Sequence, residues 1–333
     1  MGVRGKECIV GLLVLVLVLA GLGFSTQVMA ACSVPGTTSP AGFGSISSMT
    51  VRTAPQTSST TNAGLNCGAT LISLLAANDH FYATITSATS GMVGPTGDII
   101  SYTIYGNNST SYPITRGTQF DFGATGIAQS LGLVSGPGTK TVPLYLSSII
   151  GSNVAAGLYT ETLSIAWTWN YCSVLGVGSL CVIRDTGSGT ASLTVSMTVA
   201  NDCTISAPNI AFGSAPVVSG FSSVNGQATI ACTKGSAYTV GISDGQNPVN
   251  VGGQRRMVSG SNFLNYDIFK SATTTRWGSV STARRASSTA EVNPGNGLGT
   301  GSQVFNYNAA IYTNQTTPPA GTYVDNVVLD VAF

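Results

Sequence analysis

Charge is what this sequence has least of. Its 333 residues carry 13 Lys and Arg against 12 Asp and Glu, or 8%, where a soluble domain usually carries about a quarter. A net charge of +1, with the basic residues scattered, excludes a phosphate-binding footprint and with it nucleic acid as a partner. A single histidine, His80, leaves acid-base and metal chemistry poorly supplied. No segment repeats its apolar residues at a helical period. The longest apolar run, residues 9–24, falls short of the roughly 20 residues needed to cross hydrocarbon. Disorder is excluded by the 43% hydrophobic content. What is present is 41 glycines, much serine and threonine, and short alternating apolar segments. That pattern predicts β structure with many turns. The length suggests two domains.

Arg4 and Lys6 precede the apolar run, and Val28-Met29-Ala30 supplies small residues for cleavage. This reads as an export signal over residues 1–30, and the mature chain then begins at Ala31. Cys32 in the sequence Met29-Ala30-Ala31-Cys32 loosely resembles a lipid-attachment box, but lipidation would take it from the disulfide argued next. Removing Arg4, Lys6 and Glu7 with the signal leaves as many basic as acidic residues. Six cysteines remain after Cys8 is discarded, and an even count in an exported chain implies a disulfide framework.

An internal repeat fixes the organisation. Cys32, AGFGS (41–45) and Cys67 are answered by Cys203, IAFGS (210–214) and Cys232. Downstream, YATITS (82–87) matches YTVGIS (238–243), ISYTIYGN (100–107) matches LNYDIFKS (264–271), and AGLYTETLSIAW (156–167) matches AGTYVDNVVLDVAF (320–333). The repeat pairs Cys32 with Cys67 and Cys203 with Cys232, leaving Cys172 with Cys181 as a local bridge. Each matched segment alternates apolar and polar residues and reads as a half-buried strand. The expected fold is all-β: two tandem immunoglobulin-like β-sandwiches over 31–200 and 201–333.

The copies differ at their ends. The first continues through a Cys172–Cys181 hairpin into ASLTVSMTVA (191–200), an alternating strand able to close its sheet. The second stops at Phe333, inside the strand that should precede such a closing strand. Its edge, with Tyr323, Val327, Leu329, Val331 and Phe333 facing inward, is therefore expected to accept a strand from another chain.

The second half is similar to the spore coat protein U family, the pilin fold of archaic (Csu-type) chaperone-usher pili. The similarity rests on Cys203, FGS (212–214), Cys232, Tyr238, Arg256-Met257, LNYDIF (264–269), Trp277-Gly278 and AGTYVD (320–325), and the two-domain layout resembles a tip adhesin of such a pilus. The resemblance implies donor-strand exchange, in which a periplasmic chaperone lends a strand that the next subunit later replaces. It also implies an outer-membrane usher, an adjacent pilin subunit and a place on the cell surface, in a fimbrium. With Cys32 so near the cleavage site the chain has no spare strand to donate, which is expected at a fibre's end.

Three connections of the first half are apolar and are expected at the pole away from the second: Leu71, Ile72, Leu74 and Leu75; Ile127, Leu131, Leu133 and Val134; and Val174, Leu175, Val177 and Leu180 in the hairpin clipped by Cys172–Cys181. Apolar loops together at a free end mark an interaction surface. The function read from them is adhesion to hydrophobic surfaces and biofilm formation. A lectin-like adhesin is the alternative, because Trp167, Trp169 and Tyr171 alternate toward one face that could be core or a sugar-stacking platform. A coat or pilus subunit without adhesive role is the other. Catalysis is not expected: His80 beside Asp79 reads as a loop residue with no nucleophile motif nearby. GNGLGTG (295–301) has no following helix and reads as a flexible connection rather than a phosphate loop. Arg255-Arg256 and Arg284-Arg285 read as solvated or bonded to loop carbonyls. With the cysteines committed to disulfides, no metal or cofactor is expected.

Overall fold

The computed structural model describes residues 32–36, 38–68, 79–124, 140–175 and 181–333, with residues 173–175 described in backbone only. The expected signal, residues 1–30, lies outside these. Strands dominate both halves, and each half encloses a core of its own. The first is built from residues between Cys32 and Val199, including Phe81, Ile85, Trp167 and Leu193. The second draws on residues between Val218 and Ile311, including Ile230, Tyr266, Trp277 and Phe305. Alternation explains the layers: inward residues of each strand are buried and their neighbours are not, as in the BiBiBiBiB pattern of Gln303–Ile311.

In the first half, one sheet is organised on a long hairpin, Gly157–Leu175 with Cys181–Ala200. Gly157–Leu175 also pairs antiparallel with His80–Ser87, and Cys181–Ala200 pairs in parallel with Ala41–Ser47. The facing sheet holds Thr57–Thr60, Leu144–Ser148 and Tyr102–Tyr105 in that order. In the second half, the larger sheet runs Cys203–Ser206, Val224–Cys232, Gln303–Ile311, Asn262–Lys270, Arg255–Ser259. The smaller has Thr239–Ile242 between Arg285–Ala286 and Leu329–Ala332.

Three disulfides join the pairs that the repeat indicates: Cys32–Cys67, Cys172–Cys181 and Cys203–Cys232. Two features depart from the sequence reading. Ser48–Thr53 forms a short helix whose first turn is capped by the Ser47 hydroxyl, which accepts from the Thr50 amide at 3.2 Å. His80 begins a strand rather than sitting in a loop, and its ring stacks on Tyr82 at 4.1 Å.

Candidate functional site

Among the described residues, the closing strand of the first half has no counterpart in the second. In the first half, Tyr159, Leu163, Ile165 and Trp167 are buried, because Cys181–Ala200 covers them with Ala191, Leu193, Val195, Met197 and Val199. Their counterparts Tyr323, Val327, Leu329 and Val331 are only half-buried, and Phe333 is 57% exposed. Leu329–Ala332 pairs on one side with Thr239–Ile242 and, among the described residues, with no strand on the other. The AGFGS segment shows the same contrast. Ala41 and Phe43 are buried along the closing strand, whereas Ile210 and Phe212 are half-buried in a segment that pairs with no strand among the described residues. Between this half-open edge and the unpaired segment runs a groove of about 550 Å³, lined by Ile210, Phe212, Met257, Tyr323, Val327 and Leu329.

The groove also contains a carboxylate. Asp325 accepts from the Tyr266 hydroxyl at 2.8 Å and from the Gln246 amide at 2.9 Å. Burial, and then the Asp325 carboxylate itself, push the Tyr266 phenol well above its usual range. In the repeat the counterpart of Asp325 is Glu161, which is buried and held in a two-pronged ion pair with Arg116, with one contact at 3.0 Å. Burial alone would raise the Glu161 carboxyl, but Arg116, together with Tyr102 and Ser87, outweighs it and holds the group below its usual range. Sequence reasoning missed both acids, although each breaks an otherwise apolar alternation at the same place in the two copies.

At the other end of the first half, the flanks of the three expected apolar loops lie together. Lys140 pairs with Cys67, Asp121 with Tyr82, and His80 with Asn170, while the Cys172 amide donates to Asp79 at 3.2 Å. The hairpin runs past the end of His80–Ser87, so residues 171–175 and 181–185 form a two-stranded ribbon. Arg184 braces its base through Asp79 and Asn170, both at 2.6 Å. Val182 and Ile183 stand 64% and 46% exposed on it. Leu71, Ile72, Leu74, Leu75, Ile127, Leu131, Leu133, Val134, Val177 and Leu180 lie outside the described residues, and of Val174 and Leu175 only the backbone is described.

Several readings are corrected. Trp167, Trp169 and Tyr171 are buried in the first core, so they offer no stacking platform. Of the two readings of Arg255, carbonyl bonding holds, to Ile242, Ser243 and Trp277, and solvation does not: the side chain is fully buried and also pairs with buried Asp267. Arg256, Arg284 and Arg285 do bond carbonyls, those of Asn247, Ser279 and Asn306. GNGLGTG is not a free connection. Its Leu298 carbonyl accepts from Asn153 at 3.0 Å and its Gly299 carbonyl from Arg52, both across the junction of the two halves. A side chain on Gly299, at φ +75°, would overlap Asn153. With Thr233 and Lys234, which meet Ser48 and Asp98 of the first half, loop 295–301 forms a joint that the sequence did not reveal.

With this geometry in hand, comparison with known proteins is decisive for the family. The Spore Coat Protein U domain model matches residues 19–166 and again 189–330. The chain belongs to the spore coat protein U family, and the model matches in both halves. Among solved structures it is similar to the tip adhesion subunit in the CsuC-CsuE chaperone complex from archaic chaperone-usher Csu pili of Acinetobacter baumannii. That similarity has 26% identity and a TM-score of 0.60, and covers 91% of this chain and 100% of that one. The CupB6 tip adhesin of Pseudomonas aeruginosa is more distant, at 12% identity and a TM-score of 0.30 over 92% of this chain and 95% of that one, and carries no weight here. No curated protein matches the chain.

Proposed function

We propose that this protein is a tip adhesin of an archaic chaperone-usher pilus. It is exported through the periplasm on its signal, held there by a chaperone, delivered to an outer-membrane usher, and joined to the fibre by a strand from the adjacent subunit. The carrying observation is the contrast between the two halves: the first is closed by its own Cys181–Ala200 strand, and the second leaves a groove where that strand would lie. The likeness to CsuE, which covers 91% of this chain and 100% of that one, supports the same reading.

The adhesive surface is the far pole of the first half. Only two residues separate the end of Cys181–Ala200 from Cys203, where the second half begins, so the start of this strand is its distant end. At about 3.3 Å per residue, its 20 residues set the hairpin roughly 60 Å from the joint. Apolar side chains there contribute on the order of 1.5–3 kcal/mol each when buried against a hydrophobic surface, less the cost of ordering them. The Cys172–Cys181 bridge lowers that cost by restraining the hairpin. Many pili per cell then multiply weak contacts into biofilm attachment.

The test is a Leu175→Ser, Val177→Ser double variant in the native host. Attachment to plastic should fall several-fold while pili are still assembled and counted at normal numbers by electron microscopy. Unchanged attachment after the other two loops are also made polar would reject the hydrophobic surface as the ligand. A mature chain that is stable and soluble without any chaperone would reject the pilus reading.

A further inference from the structure

We infer that the strand which completes the second half carries a basic side chain at the position facing Asp325. The inference rests on the donor-strand reading above and adds the chemistry of one position in the donor.

The first half supplies the template. There the residue opposite Glu161 in the closing strand is Val195, which is fully buried. An apolar residue is tolerated because Arg116, reaching in from elsewhere in the same half, neutralises the acid. When the closing strand is in place, Glu161 is 4% exposed. Asp325 occupies the matching place and would be enclosed to a similar extent once the groove is filled.

The second half has no equivalent of Arg116. Asp325 takes hydrogen bonds from the Tyr266 hydroxyl and the Gln246 and Asn326 amides, all neutral donors, and among the described residues it makes no ion pair. Arg255 and Arg276 are committed to Asp267 and Asp244. The side facing loop 244–252 is shut. The backbone of Gly245, at φ +80°, packs so closely that a Cβ there would come within 2.0 Å of an Asp325 oxygen. The remaining approach is from the groove. Enclosing a carboxylate without a counter-charge is costly, and a cation carried on the incoming strand removes that cost. The same feature discriminates between donors, since a wholly apolar strand leaves the acid unpaired.

The experiment extends the mature full-length chain, after Phe333, by a short flexible linker and a copy of the strand Ala191–Ala200. The position copied from Val195 is Lys in one version and Met, of similar length and no charge, in the other. Hydrogen exchange over residues 321–333 reports closure of the groove. The Lys version is expected to show ~10-fold greater protection than the Met version at low salt, the gain typical of a hydrogen bond to a charged group. The difference should vanish in an Asp325→Asn background and shrink in high salt. Equal protection, or greater protection with Met, overturns the inference while leaving the donor-strand reading standing, because both extended chains would still be protected relative to the unextended one. No protection from either extension overturns the donor-strand reading itself.

Discussion

At the scale of single residues, the two halves solve one problem in different ways: an acid on the inward face of a strand. Glu161 is closed in and neutralised by Arg116, whose guanidinium also lies over the Tyr102 ring at 4.9 Å. Arg116→Met keeps the length of the side chain and removes its charge. It should cost about 3 kcal/mol at neutral pH, the scale for stranding one partner of a buried pair, measured by urea unfolding of the first half. The pH dependence has a definite sign. Arg116 holds the folded-state pKa of Glu161 below its unfolded value, so this contribution is fully present above the ordinary carboxylate range and is lost as pH falls through the depressed value. The penalty of Arg116→Met should therefore shrink in acid, and a constant penalty down to pH 3 would assign the cost to packing instead. The sequence did signal these acids, since Tyr-x-Glu/Asp-x-Leu/Val recurs at 159–163 and 323–327. It did not signal their partners, which come from strands and loops far away along the chain. For the same reason alternation placed Trp167, Trp169 and Tyr171 on one face without saying which face was covered.

At the scale of elements, the edge Tyr323–Phe333 behaves as its period of two requires. Val327 points into the groove and is half-buried, whereas Val328 is 63% exposed on the outer face. Val327→Asp should abolish co-purification with the chaperone, because it places a second acid where a donor side chain must pack. Val328→Asp, one residue along, should leave co-purification near normal. Equal loss in both would mean that the edge is recognised through its backbone or outer face alone. The missing strand was legible because the repeat offers an internal reference: a copy with the strand beside a copy without it. The cysteine pairing was legible for the same reason. The helix Ser48–Thr53 was not, since six residues are too few to establish a helical period, and its packing, with Val51 in the first core and Ser48 against Thr233, decides its conformation more than its propensity does.

At the scale of the whole molecule, whatever holds the two halves in line must act at the joint between them. Only Asn201 and Asp202 separate the strand ending at Ala200 from the one starting at Cys203. Beside this short link, the Thr233 hydroxyl meets Ser48 at 2.6 Å in a buried contact and accepts from the Asp202 amide at 2.8 Å. Lys234 pairs with Asp98 at 2.5 Å, and the Ala155 amide donates to the same carboxylate at 3.0 Å. Burial works to raise the Asp98 carboxyl, but Lys234, Ala155 and Thr96 outweigh it and keep the group below its usual range. The pair is partly exposed, Lys234 by 43%, so solvent screening limits it to about 1 kcal/mol or less. It is present at neutral pH and lost as pH falls through the lowered pKa of Asp98. The buried hydroxyl contact has no such dependence and should dominate. Thr233→Val removes it at nearly constant volume and strands the Ser48 hydroxyl and the Asp202 amide, at a cost of about 1–3 kcal/mol. Spin labels on exposed sites of the two halves should then report a broader distance distribution at neutral pH, with each core unfolding as before. The unaltered protein should broaden only slightly on acidification to pH 3. An unchanged distribution in Thr233→Val would show that the two-residue link and the contacts of loop 295–301 hold the halves in line without it.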